Sequence, residues 1–203
     1  MEDILHRKDR LIITTIDIID QLGIQNLSTR EIARREGISE ATLFRHFKSK
    51  NDLLSAVLDY FSHFDEELFQ SAKLKQLKPI DSIIYMITFY SEYCENYPGM
   101  TSIMQLNDVL RWESNLTDKV KSILEYRDNL VKQLIEEAQT SGDINSDLDS
   151  GNIAHIINGA FRELCLKWRV NDRNFSLKIK TQEIIAIILN SLKCYTKDRR
   201  VNK

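Results

Sequence analysis

The stretch Leu27–Lys50, LSTREIARREGISEATLFRHFKSK, leaves this chain few folding options. Ser28 and Thr29 are both good helix N-caps, and Glu31 follows Ser28 at the capping-box interval. Ile32 and Ala33 supply the apolar face of a short helix running to Glu36. Gly37 stands where a helix ends in a positive φ, a conformation that carries no penalty for a residue without Cβ. Ile38 reads as a buried turn residue, and Ser39 caps a second helix from Glu40 to Phe47. Two helices joined by a glycine-containing turn of ~3–4 residues make a helix-turn-helix. The second helix of such a pair fits the DNA major groove, whose width of ~12 Å admits an α-helix.

Charge supports this locally but not globally. The whole chain has a formal net charge of −2. Between Leu27 and Asn51, however, Arg30, Arg34, Arg35, Arg45, Lys48 and Lys50 face only Glu31, Glu36 and Glu40. That local excess, with His46 added, is a footprint phosphates can use. A charge run alone is more often a solvated face; the turn pattern tips the balance here.

Only 6 glycines and 2 prolines in 203 residues leave little room for β-hairpins, so the expected fold is all-α. Ile12, Ile16, Ile19 and Leu22 mark an amphipathic first helix, 4–22, closed by Gly23 and packed beneath the motif. His6, Arg7, Lys8 and Arg10 at its start are further candidates for phosphate contact. A fourth helix, 51–71, carries Leu53, Leu54, Val57, Leu58, Phe61, Phe64 and Leu68 on a broad apolar face. Segments 80–95, 100–112, 116–140, 151–170 and 175–195 follow as helices, about nine in all. On the first of these, Ile83, Ile84, Ile87 and Tyr90 point inward, and Arg127 lies within the apolar stripe of the third. Cys94, Cys165 and Cys194 lack CxxC spacing and read as small core residues in a reducing compartment. A charged N-terminus and the absence of a long apolar run predict neither a signal peptide nor a membrane span, hence a cytoplasmic protein.

The string Ile32-Ala33, Gly37-Ile38-Ser39, Thr42-Leu43-Phe44, His46-Phe47, Ser49-Lys50 and Leu53-Leu54 resembles the DNA-binding domain of TetR/AcrR-family transcriptional regulators. That family shows I-A, G-V-S, T-L-Y-x-[HY]-F, S-K and a leucine shortly after. The resemblance implies an all-helical homodimer, with a three-helix head at 1–50 and a helical effector-binding and dimerisation domain at 51–203. It further implies a repressor that leaves a pseudo-palindromic, double-stranded operator when a small molecule binds.

Within the motif, Glu40, Ala41 and Thr42 open the groove-facing helix, where Thr42 can meet a base edge or a thymine methyl. Glu40 can accept from cytosine N4 or merely complement the helix dipole, and Arg45 can read guanine or clamp backbone. By the resemblance, His46 and Lys50 touch the DNA backbone. Phe44 stands where the family's tyrosine offers a hydroxyl to phosphate, so packing replaces that bond. Thr29, Arg30, Ser39 and Lys48 complete the expected contact set.

In the C-terminal half, Phe61, Phe64, Tyr85, Phe89, Tyr93 and Met104 are candidate walls of a ligand cavity. Trp112, Tyr126, Phe161 and Trp168 join them. Each alone is more often plain core; together they favour an apolar or aromatic effector. Arg127 and His155 can anchor a polar group on it, although pairing with a neighbouring carboxylate is the favoured reading for Arg127. The resemblance makes helices 151–170 and 175–195 the dimerisation pair, with His155, Gly159, Ala160, Ile184, Ile188 and Leu192 at the interface. Dispersed histidines and the lack of HExxH, GxSxG or a phosphate loop point away from an enzyme, and from any metal or cofactor. The rival is a DNA-bound architectural or nucleoid-linked protein whose C-terminal half binds a protein and no small ligand.

Overall fold

The computed structural model describes residues 2–113 and 115–193. Cys194 and the end of the expected 175–195 helix lie outside the described residues, as does the side chain of His6. Ten α-helices and one 3-10 turn make up the described chain, with no strand among them. The helices are α1 (Glu2–Leu22), α2 (Thr29–Arg35), α3 (Glu40–His46), α4 (Lys50–Leu74) and α5 (Pro79–Asn96). They continue as α6 (Gly99–Gln105), α7 (Asn107–Leu110), α8 (Thr117–Thr140), α9 (Ser150–Val170) and α10 (Leu177–Ser191).

Three serines set the beginnings of the head helices. Ser28 Oγ accepts from the Glu31 N–H at 3.1 Å, Ser39 Oγ from Thr42 at 3.1 Å, and Ser49 Oγ from Asp52 at 3.0 Å. Each satisfies one of the donors that a helix start leaves unpaired. Gly37 adopts φ +66° between α2 and α3, the left-handed turn that a Cβ would oppose. The capping box at Ser28 is only half formed, because the Glu31 carboxylate turns to Arg34 and Arg35 instead of its own helix start.

The expected 100–112 helix is two shorter ones. The Leu106 N–H bonds back to Ile103 O, an i→i−3 contact that tightens the chain and separates α6 from α7. On α5, Ile83 and Tyr90 are buried, while Ile84 faces outward rather than inward. Beyond the head, α9 packs along α8, and α10 along α5 and α9.

One apolar cluster runs unbroken from Leu11 of α1 and Leu43 of α3, through Leu58 and Phe61 of α4, to Phe161 and Trp168 of α9. A second fills the far end with Phe69, Ile83, Leu134, Ile157 and Ile185. Head and body therefore share hydrophobic core. The N-terminus of α6 also presses on α1: a Cβ at Gly99 would fall 2.6 Å from Ile16 Cγ2.

Candidate nucleic-acid interface and internal cavity

On α3, Leu43 is buried and the C-cap Phe47 follows it into the core, which turns Glu40, Ala41, Phe44 and Arg45 outward. Phe44 is 44% exposed, an apolar ring standing in solvent between Ala41 and Arg45 on one helical face. Arg45 Nη2 donates to Thr42 Oγ1 at 3.1 Å, and Thr42 Oγ1 also lies 3.0 Å from Ser39 Oγ. Thr29 Oγ1 donates to Glu40 Oε2 at 2.6 Å, tying the start of α2 to the start of α3.

Several of the motif's cations are already engaged. Hydrogen bonds from Arg34 and Arg35 pull the Glu31 carboxyl down to about 2, and Arg10 pairs with Glu36 at 2.9 Å. Lys50 Nζ donates to the Leu27 carbonyl at 2.8 Å, reaching from the start of α4 back to the front of the motif. Arg30, Arg45 and Lys48 remain exposed. Burial, followed by the charges of Arg7, Lys8 and Arg45, pushes the His46 pKa down. Arg7 and Lys8 of α1 thus extend positive potential to the end of α3.

The body contains a cavity of about 400 Å³ between α4, α5, α6–α7, α8 and α9. Such a volume lies within the range of ~300–1,000 Å³ usual for small-ligand sites. Its wall is chiefly aliphatic, with Leu68, Ile83, Met86, Ile87, Leu130 and Leu134. Into that wall protrudes one buried ion pair. Arg127 Nε donates to Asp65 Oδ2 at 2.7 Å, and its Nη2 donates to Tyr90 Oη at 2.7 Å. The guanidinium also sits 4.1 Å from the centroid of the Phe61 ring. Burial pushes the Asp65 carboxyl above the usual carboxylate range, with Arg127 pulling it back. At the rim, Asp128 accepts from Asn158 Nδ2 at 2.8 Å and stands 3.3 Å from His155 Nε2.

Of the expected cavity residues, Met104, Arg127 and Phe161 line this space, and Arg127 has the carboxylate partner favoured above. His155 and Gly159, assigned to an interface, also border it. Phe61 lies behind Arg127, fully buried. Phe64 and Tyr93 stack at 4.0 Å and face a separate, open groove with Asp9, Tyr60 and His63. Tyr85 and Phe89 continue that aromatic row on the outside of α5, and Tyr85 Oη lies 2.9 Å from Ser71 Oγ. Tyr126 packs on the second cluster, Trp168 Nε1 donates to Phe175 O, and Trp112 is 76% exposed beyond the end of α7. None of these last five lines the cavity.

The cavity residues that sequence reasoning missed include Asp65, Asn107, Asp128 and Asn158. Asp65 had a signal. It follows Phe61 by four positions and precedes Leu68 by three, which puts a lone carboxylate on the buried face of α4.

Ile184 and Ile188 of α10 and its C-cap Leu192 turn toward their own core as half-buried residues, whereas Ile179 and Ile187 are exposed. Ile156, Leu166 and Val170 are exposed along α9, with half-buried Gly159 and Ala160 near the first of them. Among the described residues no helix is long and apolar enough to cross a membrane. Nor does any group of three or more His, Cys, Asp or Glu side chains there come together to hold a metal ion.

Comparison with known proteins agrees with this geometry. Residues 11–57 match the family described as bacterial regulatory proteins, tetR family, and residues 62–191 match the C-terminal region of YsiA-like proteins. The chain is 19% identical over 188 residues to the fatty acid metabolism regulator protein of Bacillus subtilis, covering 90% of this chain and 94% of that one. The structure of the transcriptional regulator FadR from Bacillus subtilis, in complex with stearoyl-CoA, superposes with a TM-score of 0.80 at 20% identity. That match covers 91% of this chain and 98% of the other. A shorter likeness, 22% identity over 115 residues, links 57% of this chain to 59% of the nucleoid occlusion factor SlmA of Vibrio vulnificus.

Proposed function

The chain belongs to the tetR family of bacterial regulatory proteins, and from that premise we propose that it is a homodimeric repressor released from its operator by an apolar effector. The DNA-binding function falls to residues 1–50 and the effector and dimer functions to 51–203. Glu40, Ala41, Thr42, Phe44 and Arg45 form the reading face, and Arg30, His46, Lys48 and Lys50 clamp the phosphates. Two heads meet successive major grooves ~34–36 Å apart on a pseudo-palindrome. The exposed apolar residues of α9 and α10 support pairing of two copies there.

The single observation that carries the effector reading is the aliphatic cavity walled partly by α4. With 25 residues, α4 spans about 37 Å at ~1.5 Å per residue; it starts at the Lys50–Leu27 contact in the head and meets the cavity wall at Asp65 and Leu68. A ligand that favours one position of α4 thereby favours one spacing of the two heads. Aliphatic walls suit a flexible chain better than a flat aromatic ring. The Bacillus subtilis FadR structure holds stearoyl-CoA, which makes a long-chain acyl thioester the first effector to test.

Selection of bound sequences from random duplex DNA, followed by titration with stearoyl-CoA, tests the whole reading. A recovered pseudo-palindrome that is released by the ligand is the expected result. The partial likeness to a nucleoid occlusion factor favours a second reading, in which the body docks a protein. A palindrome that no apolar ligand releases moves that reading ahead.

Two substitutions separate clamping from reading. Lys50→Ala weakens binding to every sequence and flattens the slope of log K against log salt by about 0.9 for each phosphate neutralised. An unchanged slope would confine Lys50 to its Leu27 contact. Thr42→Ala instead alters base preference at one position of each half-site, and uniform loss on all sequences contradicts a reading role.

A further inference from the structure

Arg127 reaches the cavity from α8 with donors to spare. A guanidinium carries N–H groups on all of its nitrogens and accepts nothing. Arg127 gives Nε to Asp65 and one N–H of Nη2 to Tyr90, each at 2.7 Å. Among the described residues no acceptor meets its Nη1. The side chain borders the cavity and is 16% exposed, so a molecule held there can touch it. Aliphatic walls begin one helical turn further along, at Leu68 on α4 and Leu130 on α8, and continue to Leu134 and Ile83. One end of the cavity therefore offers N–H donors and the other only hydrocarbon.

We infer that the Arg127–Asp65 pair reads the carbonyl of an esterified acyl chain: a spare Arg127 N–H donates to the ester or thioester oxygen, and the same pair turns away the free fatty acid. This deepens the acyl-thioester reading and rests on the cavity being the effector site. Asp65 already matches the charge of Arg127, so the pair is neutral as a whole. A carboxylate beside it would be a second buried anion against one cation, and an unmatched buried charge is costly. An uncharged carbonyl oxygen accepts from the guanidinium without that cost. Arg127 is thus the group that touches the ligand, and Asp65 positions it and fixes the charge that the site tolerates. A plain alkyl chain fills the aliphatic end but leaves the spare donors unmet.

The test uses the full-length protein and two matched pairs of probes, with affinities read by calorimetry. S-dodecanoyl-N-acetylcysteamine is set against S-dodecyl-N-acetylcysteamine, which has a methylene in place of the thioester carbonyl. Methyl dodecanoate is set against dodecanoate at about pH 8, where a carboxylic acid is ionised. The thioester binds at least about tenfold more tightly than the thioether, the lower end for a hydrogen bond to a charged group. The methyl ester likewise binds at least about tenfold more tightly than the carboxylate. The double variant Asp65→Leu/Arg127→Leu, which leaves an apolar wall without an orphaned charge, loses the preference for thioester over thioether and still binds the thioether. Equal affinities within either pair for the unaltered protein overturn the proposal, whether or not the variant folds. So does a thioester preference that survives the double substitution. Absence of binding by all four probes overturns the proposal together with the cavity reading, whereas equal binding overturns the proposal alone.

Discussion

Asp65→Asn lowers the stability of the folded protein by about 3–5 kcal/mol, the cost of leaving one member of a buried ion pair uncompensated. The side chains of Asp65 and Arg127 are only 7% and 16% exposed, so water cannot replace the lost carboxylate. Arg127 cannot escape by losing its proton. The reverse change, Arg127→Leu, costs less, because the Asp65 carboxyl is already pushed upward by burial and can take a proton. That variant then gains stability as pH falls, since the folded state holds a proton that the unfolded chain releases. Replacing both residues by leucine recovers most of the loss, as paired substitutions of buried ions often do. Urea denaturation of the three variants at several pH values checks the order. A smaller cost for Asp65→Asn than for Arg127→Leu would sink the argument.

Asp20→Ala costs about 3 kcal/mol and loosens the link between head and body. The Asp20 carboxylate, on α1, accepts from Ser102 Oγ of α6 at 2.6 Å and from Arg173 Nη2 at 2.7 Å. It also accepts from Arg169 Nη1 of α9, which in turn touches Thr101 Oγ1. Charged hydrogen bonds contribute roughly 1.5–3 kcal/mol each, and partial exposure of the arginines reduces their sum. Burial pushes the Asp20 carboxyl up, but Ser102, Arg169 and Arg173 outweigh it and hold the carboxyl below the usual range. Its contribution is therefore complete above the ordinary carboxylate pKa of ~3.9 and lost as pH falls through the lower folded value. Acid unfolding of Asp20→Ala thus begins from a lower stability but falls less steeply below that point. In operator release assays, on the proposed function, the variant needs more effector for the same release, because α1 follows α6 and α9 less closely. Unaltered release with unaltered stability would remove Asp20 from the linkage.

The head was legible because its determinants are local. Ser28, Ser39 and Ser49 cap the helices that they precede, and the Gly37 turn needs only its own φ. The cavity was not, because periodicity reveals which residues share a helical face but not which face meets empty space. On α5, the residues at 85, 89, 93 and 97 follow one another at helical spacing and form an aromatic row on the outside. Aliphatic Ile83 and Ile87 took the cavity side. Trp112 looked like core by type, yet α7 ends at Leu110 and leaves it in solvent. Ile184 and Ile188, interface residues by the family's pattern, are half-buried against their own core, while Ile179 and Ile187 face out.

The seven residues of α6 join the two halves of the molecule more tightly than their number suggests. Met104 near one end borders the cavity, and Gly99 at the other meets Ile16 with no space for a methyl group between them. Two meshed teeth without clearance behave in this way: there is no backlash to absorb a small displacement. We propose that a displacement of Met104 is passed in part through Gly99 and Ile16 to α1. On the proposed reading, the response to what fills the cavity depends on the stiffness of two helical turns as well as on the strength with which that molecule is held.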